Sequence, residues 1–142
     1  MRAVLGIVAG IVAGFAAMLV IAWIGELLFA GDLRIDTRNA EAIAAAFPGL
    51  PTGAKVAIVL SWFGGGLIGA AVAKRVLGRA WAAWTITAVI ALLVLFNVLI
   101  VPMPSWLQAI AVLAPLLGGL IANHLVADRE PAAPAPAANA DF

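Results

Sequence analysis

The stretch AVLGIVAGIVAGFAAMLVIAWIGELLF, residues 3–29, decides the fold class. Glu26 is its only charged residue. An apolar run of this length can cross a hydrocarbon core about 30 Å thick as one helix. The apolar region of a secretory signal peptide is only about 7–15 residues long. We therefore expect residues 3–29 to form a retained membrane span.

The whole chain shares this apolar character. It has 142 residues, of which 65% are hydrophobic and 11% are charged, and its mean hydropathy is +1.16. Soluble domains are about half apolar and about a quarter charged. Three further apolar segments occupy about 56–73, 80–101 and 106–127, and none alternates like a barrel strand. The sequence predicts an all-α transmembrane domain of four spans over residues 1–127.

The two regions outside the spans differ in pattern. Residues 128–142 are rich in proline and alanine, which predicts a disordered tail. The first connection has apolar residues at the spacing of one helical face: Ala40, Ile43, Ala44 and Phe47. Asp36 or Thr37 can cap this short amphipathic helix, and FPGLP, residues 47–51, ends it. We expect it to lie on the outer membrane surface as a connector, a lid or a docking element.

The basic residues predict the orientation. KRVLGR, residues 74–79, joins the second and third spans and contains Lys74, Arg75 and Arg79 without any acid, and Arg2 precedes the first span. Lys and Arg are enriched in the cytoplasmic loops of membrane proteins. We therefore expect this loop and both termini to be cytoplasmic.

Small residues mark the faces through which membrane helices pack. Eight glycines are predicted packing positions on the first, second and fourth spans: Gly6, Gly10, Gly14, Gly65, Gly66, Gly69, Gly118 and Gly119. These three spans are expected to touch one another in the cytoplasmic half. The third span carries Trp81 and Trp84 at that depth and is expected to face lipid more.

Polar and bulky residues dominate the outer half instead. Alternating spans bring four of them to similar depth as a candidate polar cluster: Glu26, Ser61, Trp62 and Asn97. The pattern predicts a bundle that is narrow at the cytoplasmic side and splayed outward, with an outward-facing vestibule. Gln108 is interpreted as part of a capping box that begins at Ser105.

Several function classes are excluded by residue content. The chain has no cysteine and one histidine, which rules out thiolate sites and multi-histidine metal sites. Its net charge of +1 gives no basis for nucleic-acid binding. His124 belongs to the cytoplasmic end, whereas Ser61 and Ser105 belong to the outer end, so a serine nucleophile has no base. The sequence predicts a protein that is not an enzyme and needs no cofactor.

Two function hypotheses remain open. The first is a non-catalytic membrane protein embedded in the lipid bilayer, acting as an accessory subunit, an assembly factor or a homo-oligomer. The second is a small transporter or channel that uses Glu26 and Asn97, because ionisable residues inside membranes are functional candidates. Small multidrug transporters are also short four-helix chains with an acid in the first span. Glu26 lies near the end of its span, however, and the first connection is too long for that family.

Three segments carry a resemblance to a known group. They are GELLF at 25–29, LPTGAKVAIVLSWFGGGLIGAAVAKR at 50–75 and FNVLIVPMPSW at 96–106. Together they look like small four-span bacterial membrane proteins, a group without an established activity. The resemblance implies a location in the inner membrane.

Overall fold

The computed structural model describes residues 1–29, 39–101 and 103–128. Within these ranges the α-helices are α1 (Arg2–Phe29), α2 (Ala40–Ala46), α3 (Thr52–Leu77), α4 (Ala80–Ile100) and α5 (Ser105–Leu125), and a short 3-10 helix (Phe47–Gly49) follows α2. The four longest are apolar enough to cross a membrane, which confirms the predicted all-α fold with four long apolar helices. Apart from its first residue, the predicted tail lies outside the described residues.

Helix α3 is the centre of the bundle. Helices α1, α4 and α5 all pack against it, α4 also packs against α5, and α1 meets α4 over a shorter stretch. The most exposed long helix is α1: within an apolar stretch of 18 residues, 22% of the residues of α1 are buried, against 33% in α4. The expectation that the third span faces lipid more is therefore wrong with respect to α1, although α4 is less buried than α3 and α5, at 50% and 39%. The reason is that Ile86, Ile90 and Val94 of α4 fill the main hydrophobic core.

Small residues line the antiparallel contact between α1 and α3. A Cβ on Gly10 would lie 2.9 Å from the carbonyl oxygen of Gly69, and one on Gly14 would lie 3.0 Å from that of Gly65. Farther along, Gly25 of α1 packs directly against Ala57 of α3. The two helices thus stay close along their whole length, and for this pair the predicted outward splay is wrong.

A different face of α3 contacts α5. Gly66 lies against the backbone of Pro115, and Gly118 lies against the backbone of Phe63. Gly119, next to it, faces the side chain of Thr87 on α4. Helices α1 and α5 therefore pack on separate faces of α3. The remaining predicted packing glycine, Gly6, meets the side chain of Leu77 at the end of α3.

Helix α2 begins later than the sequence predicted. The Asn39 Oδ1 accepts a hydrogen bond from the backbone N–H of Glu41 at 2.9 Å, so Asn39 caps the helix. The predicted caps, Asp36 and Thr37, lie outside the described residues. So do three side chains of the predicted apolar face: Ala40, Ile43 and Ala44. The amphipathic character of α2 thus stays a prediction, although Phe47 at its end is buried.

The predicted capping box at the start of α5 is wrong. Ser105 is the first residue of the helix, Pro104 occupies the N-cap position, and no side chain caps it there. The Gln108 Nε2 instead donates a hydrogen bond to the carbonyl oxygen of Met103 at 3.0 Å. Gln108 therefore tethers the preceding turn to the helix.

Candidate functional site

The bundle has two ends, which we name after one residue each. At the Glu26 end, α1 and α4 finish and α3 and α5 begin; at the Lys74 end, α3 and α5 finish. Helices α1 and α4 touch closer to the Lys74 end, where Gly10 lies against Ile86 and Gly14 against Ile90. Toward the Glu26 end a cavity separates them, so the two helices diverge in that direction.

We call this cavity the lateral groove. It has a volume of about 400 Å³. Its lining comes from α1, α3 and α4: Phe15, Met18, Trp62, Leu93, Val94, Phe96, Asn97 and Ile100. Trp62 is only 7% exposed and forms the floor, whereas Phe15, Leu93 and Phe96 are exposed at the rim. The groove therefore opens at the side of the bundle, toward the position of the lipid.

A local change of residue size on α1 explains where the groove begins. Positions 10, 14 and 18 follow one another on the same face of a helix. The first two are glycines that admit the side chains of Ile86 and Ile90, and the third is Met18. At position 18 no glycine admits a side chain of α4; the Met18 side chain packs against Gly65 of α3 and lines the groove. The groove thus starts where the glycine series ends.

Only two of the four residues in the predicted polar cluster meet. Trp62 and Asn97 both line the lateral groove, whereas Glu26 and Ser61 do not. Glu26 is exposed in the last turn of α1. Ser61 is buried, and its Oγ donates to the carbonyl oxygen of Ile58 in its own helix at 2.7 Å. The four side chains are therefore not one site.

Asn97 is the distinctive polar residue of the groove. Its backbone carbonyl oxygen accepts a hydrogen bond from the backbone N–H of Val101 at 2.9 Å. Its exposed side chain makes no hydrogen bond with any described residue. The adjacent Phe96 and Ile100 are 64% and 51% exposed. In hydrocarbon an unpaired amide costs several kcal/mol, on the order of 4 or more. Asn97 lies about one helical turn before the end of α4, so water, lipid headgroups or another protein can supply its polar partner.

Lys74 is a second notable residue, and its structural role was missed from the sequence. It is only 3% exposed. Its Nζ donates to the carbonyl oxygen of Asn123 at 2.6 Å and to the Asn123 Oδ1 at 3.0 Å. It also forms an ion pair with Asp128 at 3.3 Å. The last carbonyls of a helix lack partners within the helix and favour a cation, so Lys74 anchors the end of α5 to α3.

A spacing pattern distinguishes Lys74 from Arg75, the next residue in the last turn of α3. It continues the series Gly66 and Ala70 at intervals of four, which is the face of α3 that contacts α5. Arg75 falls off that face and is exposed. A cavity of about 360 Å³ adjoins Lys74. The three ammonium donors already have three oxygen partners, so Lys74 serves as an anchor.

No cluster of metal ligands is found among the described residues. Across 1–29, 39–101 and 103–128, no three His, Cys, Asp or Glu side chains cluster so as to hold a metal ion. No family model matches the chain, and no curated protein or solved structure is significantly similar to it. The resemblance to small four-span membrane proteins stays a prediction, and the geometry of the chain itself has to support a function.

Proposed function

We propose that this chain is a non-catalytic multi-pass protein of the inner membrane, with cytoplasmic termini, that works by associating with other membrane-embedded helices. An accessory subunit, an assembly factor and a homo-oligomer all share this property. The observation that supports it is the exposed Asn97 amide in the lateral groove. A helix that enters the groove from the side can supply the partner that lipid tails lack.

The chemistry of the groove favours association over catalysis. Its lining is apolar apart from the amide of Asn97 and the indole nitrogen of Trp62, and neither group exchanges a proton near neutral pH. Lys74, which can carry a proton, is bonded to three oxygens at the Lys74 end. The groove therefore suits a side chain that packs and hydrogen-bonds better than one that reacts.

Transport through Glu26 and Asn97 is the alternative. The shared groove of Asn97 and Trp62 is the feature that favours it. A proton or cation carrier, however, uses ionisable groups that line the path of the ion. Glu26 is the acid available for that role, and it lies outside the groove. Association is for this reason the stronger proposal.

Purification in a mild detergent tests the proposal. The expected result is a stable particle whose protein mass, without the bound detergent, exceeds the 14.5 kDa of one chain. The added protein can be further copies or another protein. A particle that contains a single chain under every mild condition would contradict it. The alternative is tested in proteoliposomes: a proton or cation flux that is lost in Glu26→Gln would favour transport.

A further inference from the structure

We propose that the cavity beside Lys74 binds the phosphate group of an anionic membrane lipid, and that Arg75 donates the hydrogen bonds to it. This cavity lies at the Lys74 end of the bundle, whereas the lateral groove opens toward the Glu26 end. The inference goes beyond the proposed association and does not depend on it.

Two cations from the last turn of α3 line this cavity of about 360 Å³. Lys74 uses its three ammonium protons on oxygens of Asn123 and Asp128, so it contributes charge without a free donor. Arg75 is exposed and makes no hydrogen bond or ion pair with any described residue. A guanidinium can bind a phosphate through two parallel hydrogen bonds. Arg75 therefore has the donors that the site needs.

The electrostatics at this end favour a further anion. The Asp128 Oδ1 already lies 3.3 Å from the Lys74 Nζ, and the Asp128 side chain is 61% exposed. Lys74 and Arg75 thus face one carboxylate, which leaves a net positive charge. The end carbonyls of a helix disfavour an anion, but that of Asn123 on α5 is covered by the Lys74 ammonium.

The depth of the cavity matches the headgroups of the bilayer. Gly78 contributes to its lining, and α4 begins two residues later at Ala80. Trp81 and Trp84, in the first two turns of α4, are both exposed. Exposed tryptophans of membrane helices lie at the membrane–water interface. Basic pockets between membrane helices at this level bind anionic headgroups.

An apolar stripe on α5 favours a lipid over a free phosphate ion. Leu125 lines the cavity. Leu125, Ile121 and Leu117 follow one another at intervals of four, and all three are exposed. An acyl chain can lie along this stripe while its phosphate contacts Arg75. A free phosphate ion would leave the stripe unused.

Native mass spectrometry of the detergent-solubilised protein tests the site. Phosphatidylglycerol and phosphatidylcholine with identical acyl chains are titrated in turn, and each gives a dissociation constant for the first bound lipid. Phosphatidylglycerol should bind about 5-fold more tightly, because it carries one more net negative charge. Equal affinity for the two lipids would overturn the inference.

A pair of matched variants locates the phosphate. Arg75→Gln should weaken phosphatidylglycerol binding about 10-fold or more, because a charge-assisted contact is lost. Arg79→Gln removes the same charge from an exposed residue that does not line the cavity. Screening by salt should limit its effect to less than about 3-fold. Equal weakening in both variants would show general charge attraction and would overturn the site.

Asp128→Asn is an independent test, since it removes the carboxylate that shares Lys74 with the lipid phosphate. Asp128 is largely exposed, so the variant is expected to fold. Phosphatidylglycerol should bind about 5-fold more tightly once the opposing charge is gone. Unchanged or weaker binding would contradict the placement of the phosphate beside Lys74.

Inorganic phosphate distinguishes the two sources of the ligand. Added at the concentration of phosphatidylglycerol, it should leave the bound lipid in place, because it cannot use the apolar stripe on α5. Displacement of the lipid at equal concentration would show that the cavity takes a free anion, and the assignment to a lipid would then be wrong.

Discussion

Replacing Gly66 by alanine tests the close contact between α3 and α5. The new Cβ would lie 2.8 Å from the Cα and 3.0 Å from the carbonyl carbon of Pro115. Ordinary contact begins at 3.4 Å, and both of these neighbours are backbone atoms that cannot rotate away. The two helices must therefore move apart at this point.

Two opposing effects determine the size of the change. Overpacking of this kind costs about 1–3 kcal/mol, and a rigid backbone neighbour places Gly66 near the upper end of that range. Alanine is favoured over glycine in a helix by about 1 kcal/mol. The free energy of unfolding of Gly66→Ala should thus fall by about 2 kcal/mol relative to wild type.

Gly6→Ala is the matched control, since it makes the same chemical change on α1. There the new Cβ would meet the Leu77 side chain, with its Cγ at 2.5 Å and its Cδ1 at 2.9 Å, but a leucine side chain, unlike a backbone, can move to another rotamer. The cost of moving Leu77 opposes the helix preference of alanine, so the control should change the free energy of unfolding by less than about 1 kcal/mol. Reversible unfolding in mixed micelles of a mild detergent and a denaturing one measures both variants. Equal effects at Gly66 and Gly6 would refute the packing assigned to α3 and α5.

Three further predictions concern individual side chains and orientation. Lys74→Met should lower the free energy of unfolding by about 1–3 kcal/mol, because buried oxygens at the end of α5 lose their donor. Arg75→Met, a change at the exposed neighbour, should alter it by less than about 0.5 kcal/mol. Equal losses in the same micelle assay would contradict the anchoring role of Lys74. Ser61→Ala should cost less than about 1 kcal/mol, since its hydroxyl bonds only within its own helix, and a larger loss would mean that Ser61 has a further partner. For orientation, a membrane-impermeant maleimide applied to intact cells should label Glu41→Cys and spare Arg79→Cys, and the reverse pattern would show that the chain is inserted the other way round.

The four-helix fold was predictable because each span is long and apolar enough to be recognised from its own sequence, without knowledge of its neighbours. The contact partners were not predictable to the same degree. Glycines four residues apart marked the first part of the α1 surface, but Gly25 stands alone in the sequence. Its close contact depends on Ala57, a small residue that lies at the same height on another helix. Such matching becomes visible only when the two helices are placed together.

The candidate site, too, was predictable only in part. Depth along each span could be counted, and it placed Asn97 and Trp62 at one level, where the structure brings them into one groove. The direction in which a side chain points around its helix could not be counted in this way. For this reason Glu26 and Ser61 were assigned to a cluster that they do not share. Lys74 was interpreted only as a loop charge, because its role depends on the position of Asn123 on a distant helix.

The proposed association requires that protein, and not lipid, covers the lateral groove. A photoreactive benzoylphenylalanine in place of Phe96, at the rim of the groove, shows in native membranes which of the two covers it. Irradiation should give a protein adduct, with the mass of two chains if the partner is a second copy. Adducts with lipid alone would contradict the proposed association.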